Sequence, residues 1–427
     1  MRVIVIGGGA VGLSVAEALA SRGAEVTVFE RDRCGSGASA GNAGWMTPSL
    51  AIPVPGPGVI GQSLRWLVDP SGPLWIRPTV SPAMLAWIAR FVASCRRPAY
   101  RRGLVALQRA AALAGPAFDR LAERGVEFEH HAAPLLYPAF DQSELEHLER
   151  VADELAEIGA GPSLERLAAE EVLALEPALS ERVLGAVISR EDRRVRPESL
   201  CEGLRRALVA GGAEVFEHSP VDGLGRDASS WIVEDGTVIR RGDAVVLAGG
   251  VASSQLLAGV GVHLPIVAAK GYSRTYPSDA TGPRQAIYLE TPKVAISTFE
   301  GAVRVSGTLE LGARTLSLSD RRLRAIATAA QNALPGWRMP SSPRNWAGMR
   351  SLSPDGLPFI GAVPGFAGLH VAAAHATLGI TLAPLTGELL ADMLLEGRRG
   401  EAMTAFDPAR ATGSGYFRPL RATTGGP

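Results

Sequence analysis

The first thirty residues constrain this chain more than any other stretch. Val3-Ile4-Val5-Ile6 runs straight into Gly7-x-Gly9-x-x-Gly12, and the glycines open a segment, 11–19, with apolar residues at helical spacing. Glu25-Val26-Thr27-Val28-Phe29 returns as a second apolar run and ends at Glu30, 18 residues after Gly12. Strand, glycine turn, helix and strand in that order predict a parallel βαβ unit that binds a dinucleotide. The three glycines do different things. Gly7 permits the tight turn, Gly9 lets a phosphate approach the backbone, and Gly12 lets the helix pack on the strand. The backbone N–H groups of the helix start receive a pyrophosphate. The Glu30 carboxylate accepts ribose hydroxyls and repels a 2′-phosphate, which disfavours NADP.

The glycine spacing alone is weak evidence, because Gly56-x-Gly58-x-x-Gly61 matches it too. That second match sits in a proline-rich loop with no strand before it and is not expected to bind a nucleotide. Nor does the first match separate NAD from FAD, since both present the same ADP half. Two further small-residue segments bear on that choice, Ser39-Ala40-Gly41-Asn42-Ala43-Gly44 and Ala248-Gly249-Gly250. Both let backbone come close to a long, buried cofactor, although each taken singly also reads as an ordinary turn.

At 427 residues the chain exceeds what one compact core accommodates, so two lobes are expected. βαβ character returns around 197–250, with a helix at 198–209 and a buried strand, 243–248, ending at Gly249-Gly250. Short β-rich runs between 265 and 345 predict an antiparallel sheet, whereas 83–176 reads as mostly covering helices. The expected fold is α/β: a doubly wound, Rossmann-like cofactor lobe from 1–51, 185–264 and 346–410, and an α+β substrate lobe from 52–184 and 265–345. A flexible tail is expected over 411–427.

Lys plus Arg and Asp plus Glu each number 43, so no overall field attracts nucleic acid. Cys34, Cys95 and Cys201 lack the spacing of a metal or redox site and are expected to be inert thiols. The first strand begins at Arg2, leaving no room for a leader, and no apolar run is long enough to span a bilayer. The expectation is a cytoplasmic protein without a metal, any membrane contact being peripheral. The apolar segment from Pro55 to Cys95, with Trp66, Trp75, Trp87 and Phe91, is read either as such a contact patch or as domain core.

Beyond the first block, SAGNAG (39–44), AVVLAGG (244–250), KGYS (270–273), WAGMRSLSPDGLPFIG (346–361) and HATLGITLAPLTGELLADML (375–394) together resemble the D-amino-acid oxidase-like flavoproteins, closest to their bacterial D-amino-acid dehydrogenase branch. The resemblance runs nearly end to end, and the last two blocks are its most specific part. It implies non-covalent FAD and oxidation of a small D-amino acid, with hydride leaving Cα for flavin N5 and the resulting imine hydrolysing to an oxo acid. It places flavin contacts at Gly7, Gly9, Val11 and Gly12, at Glu30 and Arg31, in the Asn42-Ala43-Gly44 turn, and at Val221, Gly249, Gly250 and Gly348. The Leu378-Gly379-Ile380-Thr381 turn completes them, its N–H groups preceding a helix and stabilising charge on the flavin.

Arg350 matches the arginine of the family's W-x-G-x-R segment that grips the substrate carboxylate, a role that suits a planar, permanently charged guanidinium; a surface arginine in an ion pair is the alternative. Tyr272 is either a pocket residue or a core tyrosine with a satisfied hydroxyl. His375 is open between a general base, a flavin neighbour and a structural histidine. Tyr288, Glu290 and Glu310 either polarise a pocket or lie on a sheet surface. The oxidase branches place a tyrosine and a second arginine near the substrate, where this chain has Lys293-Val294-Ala295-Ile296 and Thr377. That departure favours the dehydrogenase branch, which implies a quinone or a redox partner as electron acceptor. The rival readings are a cyclic D-imino acid dehydrogenase for D-proline or cis-4-hydroxy-D-proline, an N-methyl amino acid oxidase, and a flavin-binding subunit without turnover.

Overall fold

The computed structural model describes residues 1–67, 72–77, 81–159, 161, 163–227 and 229–414; most of the expected flexible tail, 415–427, lies outside them. One six-stranded sheet has the order Glu214–Phe216, Glu25–Phe29, Arg2–Ile6, Ala244–Leu247, Leu369–Ala373 and Phe359–Ala362. Its pairs are parallel except the last, where Phe359–Ala362 lies antiparallel at the edge. The apolar runs follow from burial on both faces. Val3, Val5, Val28 and Val246 point into one cluster with the helices Ala10–Ala20, Pro197–Ala210 and Ala383–Glu396, while Ile4, Ile6, Val245 and Leu247 point into another. Helices Ala10–Ala20 and Ala383–Glu396 touch backbone to backbone, since a Cβ on Gly387 would stand 2.3 Å from the Ser14 carbonyl oxygen.

A nine-stranded mixed sheet builds the other lobe, in the order Arg344–Leu352, Val267–Pro277, Ala302–Leu311, Val294–Phe299, Ala286–Leu289, Leu135–Ala139, Gly185–Ser189 and Leu164–Ala168. Leu74–Ile76 pairs with Ala302–Leu311. Strand alternation gives this sheet two distinct faces. Leu136, Ile287, Ile296 and Val305 pack under the helix Asp320–Ala333, and Tyr137, Tyr288 and Ala295 project from the opposite face. Two expected boundaries therefore move. Gly185–Ser189 and Arg344–Leu352 belong to this sheet, so the chain leaves it after Ser189 and Leu352 rather than at 185 and 346. The 83–176 stretch is also more than covering helix, because Leu135–Ala139 is a fully buried central strand.

The lobes are fastened where the site lies. Ala376 N donates to the Ser351 carbonyl at 3.0 Å, and Ala374 N donates to Ser351 Oγ at 3.2 Å. On the other side the buried Arg304 of the large sheet donates to the Asn42 carbonyl at 2.7 Å and to Glu198 Oε1 at 2.6 Å.

Candidate flavin and substrate site

The first glycine loop has the geometry its spacing predicts. Gly7 turns at φ +116°, and a Cβ there would stand 2.6 Å from the Ala248 backbone. A Cβ on Gly12 would stand 1.9 Å from the Gly7 carbonyl oxygen, so only glycine lets the helix start sit on the strand end. Gly9 is different. It precedes the helix without a side-chain cap, and the nearest atom to a Cβ there is Ser39 Oγ at 3.4 Å. Ala10 N donates to that same Oγ at 3.1 Å, and the next N–H groups have no intrahelical acceptor. Val11 is half-buried against the neighbouring core.

Glu30 is held at the rim of the loop, accepting from Gly8 N at 2.7 Å and from Asp32 N at 3.0 Å. Arg31 beside it is solvent-exposed and pairs with Asp32 at 3.1 Å. Ser219 N donates to the Glu30 carbonyl at 2.8 Å, which brings Val221 to the same end of the sheet. Gly249 and Gly250, the latter at φ +59°, follow Ala248 on the other side of the loop. A loop that opens on a free helix N-terminus, with a fixed carboxylate at its edge, fits the ADP half of a dinucleotide. The second glycine match has no such setting: Gly61 lies inside the helix Val59–Leu67, and no strand precedes it.

A cavity of about 810 Å³ lies between the lobes, lined by Asn42, Ala43, Ala376, Thr377 and Leu378 from the cofactor lobe and by Tyr137, Tyr288 and Arg350 from the large sheet. Asn42 Oδ1 accepts from Gly44 N at 2.8 Å, closing the turn, and Gly44 stands at φ +77°. Trp346 packs its ring on Gly41 and Gly348; a Cβ on either glycine would meet it at 2.1 Å. Thr381 is buried and fastens the next turn, donating to the Trp45 carbonyl at 3.0 Å and accepting from Thr47 N at 3.2 Å. Gly379 is open on its Cβ side and Ile380 is core. The helix these residues lead into starts at Ala383 and carries no side-chain cap. Three of the non-glycine residues with positive φ, Lys293, Thr308 and Ala376, line the cavity, as strained backbone often does at sites.

Arg350 lines this cavity, and among the described residues it makes no ion pair. Burial pushes its pKa below the ordinary value, an effect the nearby Tyr288 opposes. The guanidinium lies across Gly271, where a Cβ would stand 2.9 Å from Cζ. Tyr288 faces the same space, edge-on to Trp45 and to Tyr137 with ring centroids 6.0 Å apart in each case. Glu290 also lines it, paired with Lys293 and 3.6 Å from His147 Nε2.

Several expectations are corrected. Tyr272 does not line the cavity: it is one position out of phase with Gly271, on which Arg350 lies, and it packs in the core under the helix Asp320–Ala333. Its buried hydroxyl makes no hydrogen bond of good geometry, so it is not the satisfied core tyrosine either. Glu310 is neither pocket nor surface; it is buried between Lys270 at 2.9 Å and Arg322 at 2.5 Å. His375 is buried away from the cavity, its Nε2 3.1 Å from Thr386 Oγ1, because the left-handed Ala374 and Ala376 on either side turn it toward the helix Ala383–Glu396. Burial pushes its pKa down to about 4 and leaves it neutral, so it is not placed as a base. Tyr288, on the strand that pairs with Val294–Phe299, stands beside Arg350 at the cavity. Tyr137 carries one signal in the sequence, its place out of phase with Leu136 in a short apolar run.

Between Pro55 and Cys95, Trp66, Ile76, Ile88 and Phe91 wall the cavity, and Trp87 is buried with its Nε1 donating to the Pro265 carbonyl at 3.1 Å. Cys34 and Cys201 are pushed up to about 12 by burial, as inert thiols require. No helix among the described residues is long and apolar enough to cross a membrane.

A parallel sheet with a dinucleotide loop, joined to a mixed sheet that walls a deep cavity, defines a two-lobe nucleotide-cofactor oxidoreductase. The chain belongs to the FAD dependent oxidoreductase (DAO) family, whose profile matches residues 2–393, and its cofactor is FAD. It is 31% identical over 414 residues to a D-amino acid dehydrogenase of Xanthobacter autotrophicus, covering 95% of this chain and 97% of that one. It is 33% identical over 416 residues to a D-amino acid dehydrogenase of Methylobacterium radiotolerans, covering 94% and 97%. Glycine oxidase from Geobacillus kaustophilus superposes with a TM-score of 0.76 at 25% identity, covering 96% of this chain and 99% of that one. L-proline dehydrogenase from P. horikoshii shares the fold, with a TM-score of 0.71 at 20% identity and coverage of 98% and 99%.

Proposed function

We propose that this enzyme oxidises the Cα–N bond of a D-amino acid, giving an imine that water hydrolyses to an oxo acid. The observation that carries the reading is Arg350: a guanidinium on a cavity wall, without an acidic partner among the described residues, is matched by the carboxylate of a substrate. The D-amino acid dehydrogenases that match over nearly the whole chain support the same class.

FAD, when bound, supplies the acceptor for the hydride that leaves Cα. Gly7, Gly9, Val11 and Gly12 hold its pyrophosphate at the helix start, Glu30 its ribose, with Arg31, Val221, Gly249 and Gly250 around the same end. Asn42, Ala43, Gly44 and Gly348 with the 378–381 turn hold the flavin. Arg350 and Tyr288 fix the substrate carboxylate, and the apolar wall of Trp45, Leu50 and Leu352 excludes water from the reacting centre. Positioning of this kind supplies most of the rate.

The electron acceptor of the enzyme would be a quinone or a redox protein. Ile60, Leu85 and Val92, all exposed on the segment that walls the cavity, support a peripheral membrane contact on the cytoplasmic side. Co-sedimentation with anionic lipid vesicles, lost on replacing all three by Ser, tests that contact.

Anaerobic mixing of the flavoprotein with matched D- and L-amino acids, including both enantiomers of proline and hydroxyproline, and with N-methyl amino acids, tests the reaction. Loss of the oxidised-flavin absorbance with D-forms is expected. Reduction by the cyclic substrates alone marks a D-imino acid dehydrogenase, reduction by N-methyl amino acids alone marks that oxidase, and no reduction marks a subunit without turnover.

A further inference from the structure

Behind the wall that carries Tyr137 lies a carboxylate with no part in the reaction proposed for Arg350 and Tyr288. Asp192 is 2% exposed and sits one residue before the short strand Arg193–Val195. Its Oδ2 accepts from Ser49 Oγ and from Thr47 Oγ1, the latter at 3.1 Å, and Ser49 N donates to its Oδ1 at 3.3 Å. Ser49 Oγ in turn lies 2.5 Å from the Tyr137 hydroxyl. Ser49, Thr47 and Tyr137 all line the cavity that holds Arg350 and Tyr288, so the carboxylate stands one hydrogen bond behind its surface.

Among the described residues, no cation pairs with Asp192 to hold it ionised. The two arginines that follow it are engaged elsewhere, Arg193 with Asp119 and Arg194 with the Thr298 carbonyl at 2.8 Å. Gln108 from the neighbouring helix donates to the carbonyls of Pro48 and Ala51, and not to the acid. The titratable group that faces it is Tyr137, which burial and Asp192 itself push well above the ordinary range. Desolvation pushes the Asp192 carboxyl up to about 7, against the hydrogen bonds that favour its charge.

The direction of the hydrogen bonds follows from their donors. With Asp192 ionised, Ser49 must donate to it, while Thr47, 3.1 Å from both Asp192 Oδ2 and Ser49 Oγ, donates to one of the two; Tyr137 therefore donates to Ser49 and turns a lone pair toward the cavity. With Asp192 protonated, every hydroxyl can reverse, and Tyr137 then presents its proton to the cavity. A buried acid wired to a cavity only through hydroxyls is a proton acceptor with a defined path.

We propose that Tyr137, Ser49 and Asp192 form a relay that takes a proton from the ammonium group of the bound substrate. The inference rests on the reading of the substrate as an amine. The ammonium N–H bond breaks toward the Tyr137 oxygen, the tyrosine proton moves to Ser49 Oγ, and the serine proton moves to Asp192. The substrate becomes a neutral amine, the carboxylate becomes a carboxylic acid, and no electrons move. The neutral amine is the form from which hydride can leave, and the acid returns its proton to solvent after the product departs. Asp192 acts through the two hydroxyls, and only Tyr137 touches the substrate.

The test is the pH dependence of anaerobic flavin reduction at saturating D-amino acid in the FAD-loaded wild type, Asp192→Asn and Tyr137→Phe. Wild-type rates are expected to fall as pH drops through neutrality. Both variants should lose that limb, react about 10²-fold more slowly at pH 8, and combine without additivity in the double variant. Infrared titration of the substrate-free holoenzyme should show a protonated-carboxyl band near neutral pH that D192N lacks. If D192N fails to fold, Ser49→Ala and Y137F cut the same path with the acid in place. A D192N or Y137F profile that matches wild type overturns the relay alone, as does a slow D192N beside an unaltered Y137F. A wild type that no amine reduces at any pH overturns the amine reading, and the relay with it.

Discussion

Gly271 and Arg350 lie on adjacent strands with the guanidinium folded over the glycine: a Cβ at 271 would stand 2.9 Å from both Cζ and Nη2 of Arg350. The register explains it, because Arg350 pairs with Ala269 and its side chain leans diagonally onto the residue two further along. Gly271→Ala is expected to push the guanidinium off its seat, raising KM and the dissociation constant of a carboxylate inhibitor about tenfold, for a clash of ~1–3 kcal/mol. An unchanged flavin spectrum separates this from damage to the cofactor site.

Arg350→Lys keeps the charge and loses the paired N–H donors. A loss of about 3 kcal/mol in transition-state binding is expected, ~100-fold in kcat/KM, measured by stopped-flow reduction. Carboxylate inhibitors should weaken in parallel, while amines without a carboxylate should be affected little.

Gly12→Ala and Gly9→Ala should behave differently. The first puts a methyl 1.9 Å from the Gly7 carbonyl oxygen and must move the helix, so a lower Tm and a flavin-free protein are expected. The second meets nothing nearer than 3.4 Å in the protein itself. The G9A apoprotein should keep its Tm and lose FAD on dialysis, because the space it fills is where a phosphate approaches.

His375 and His370 are both held down to about 4 by burial. The folded state refuses a proton that the unfolded chain takes near 6.5, so their stability contribution is complete above about pH 6.5 and is lost as pH falls toward 4. Each adds a slope of roughly 1.4 kcal/mol per pH unit in that window. Thermal unfolding of His375→Gln across pH 4 to 7 should show a flatter curve than wild type, with no limb removed from the catalytic pH profile.

Thr381→Val removes the hydroxyl that joins the Trp45 carbonyl to the Thr47 N–H. Two buried backbone groups lose partners, for an expected loss of about 2–4 kcal/mol, read in denaturant unfolding. Flavin should be retained less tightly, because the 378–381 turn loses its tie to the opposite wall.

The cofactor loop, the doubly wound sheet around it and the place of Arg350 in a diagnostic segment are legible in the residue pattern alone. Those features are local: a strand ending in glycines at fixed spacing builds its turn and helix start from contacts within thirty residues. Which side chains meet depends on contacts between strands far apart in the chain. Alternation along 267–277 reveals that Gly271 and Tyr272 point opposite ways, but not which face meets the cavity, and the cavity face belongs to the glycine. Tyr137, Tyr288 and Arg350 are each more than 60 residues from the next in sequence and share one wall because Leu135–Ala139 pairs with Ala286–Leu289 inside a sheet that reaches Arg344–Leu352. His375 lost its place at the cavity to two left-handed alanines, a backbone choice no side-chain pattern records. The charge state of Asp192 is likewise set by distance from water and by hydroxyls from residues 47 and 49, neither of which lies near it in the chain.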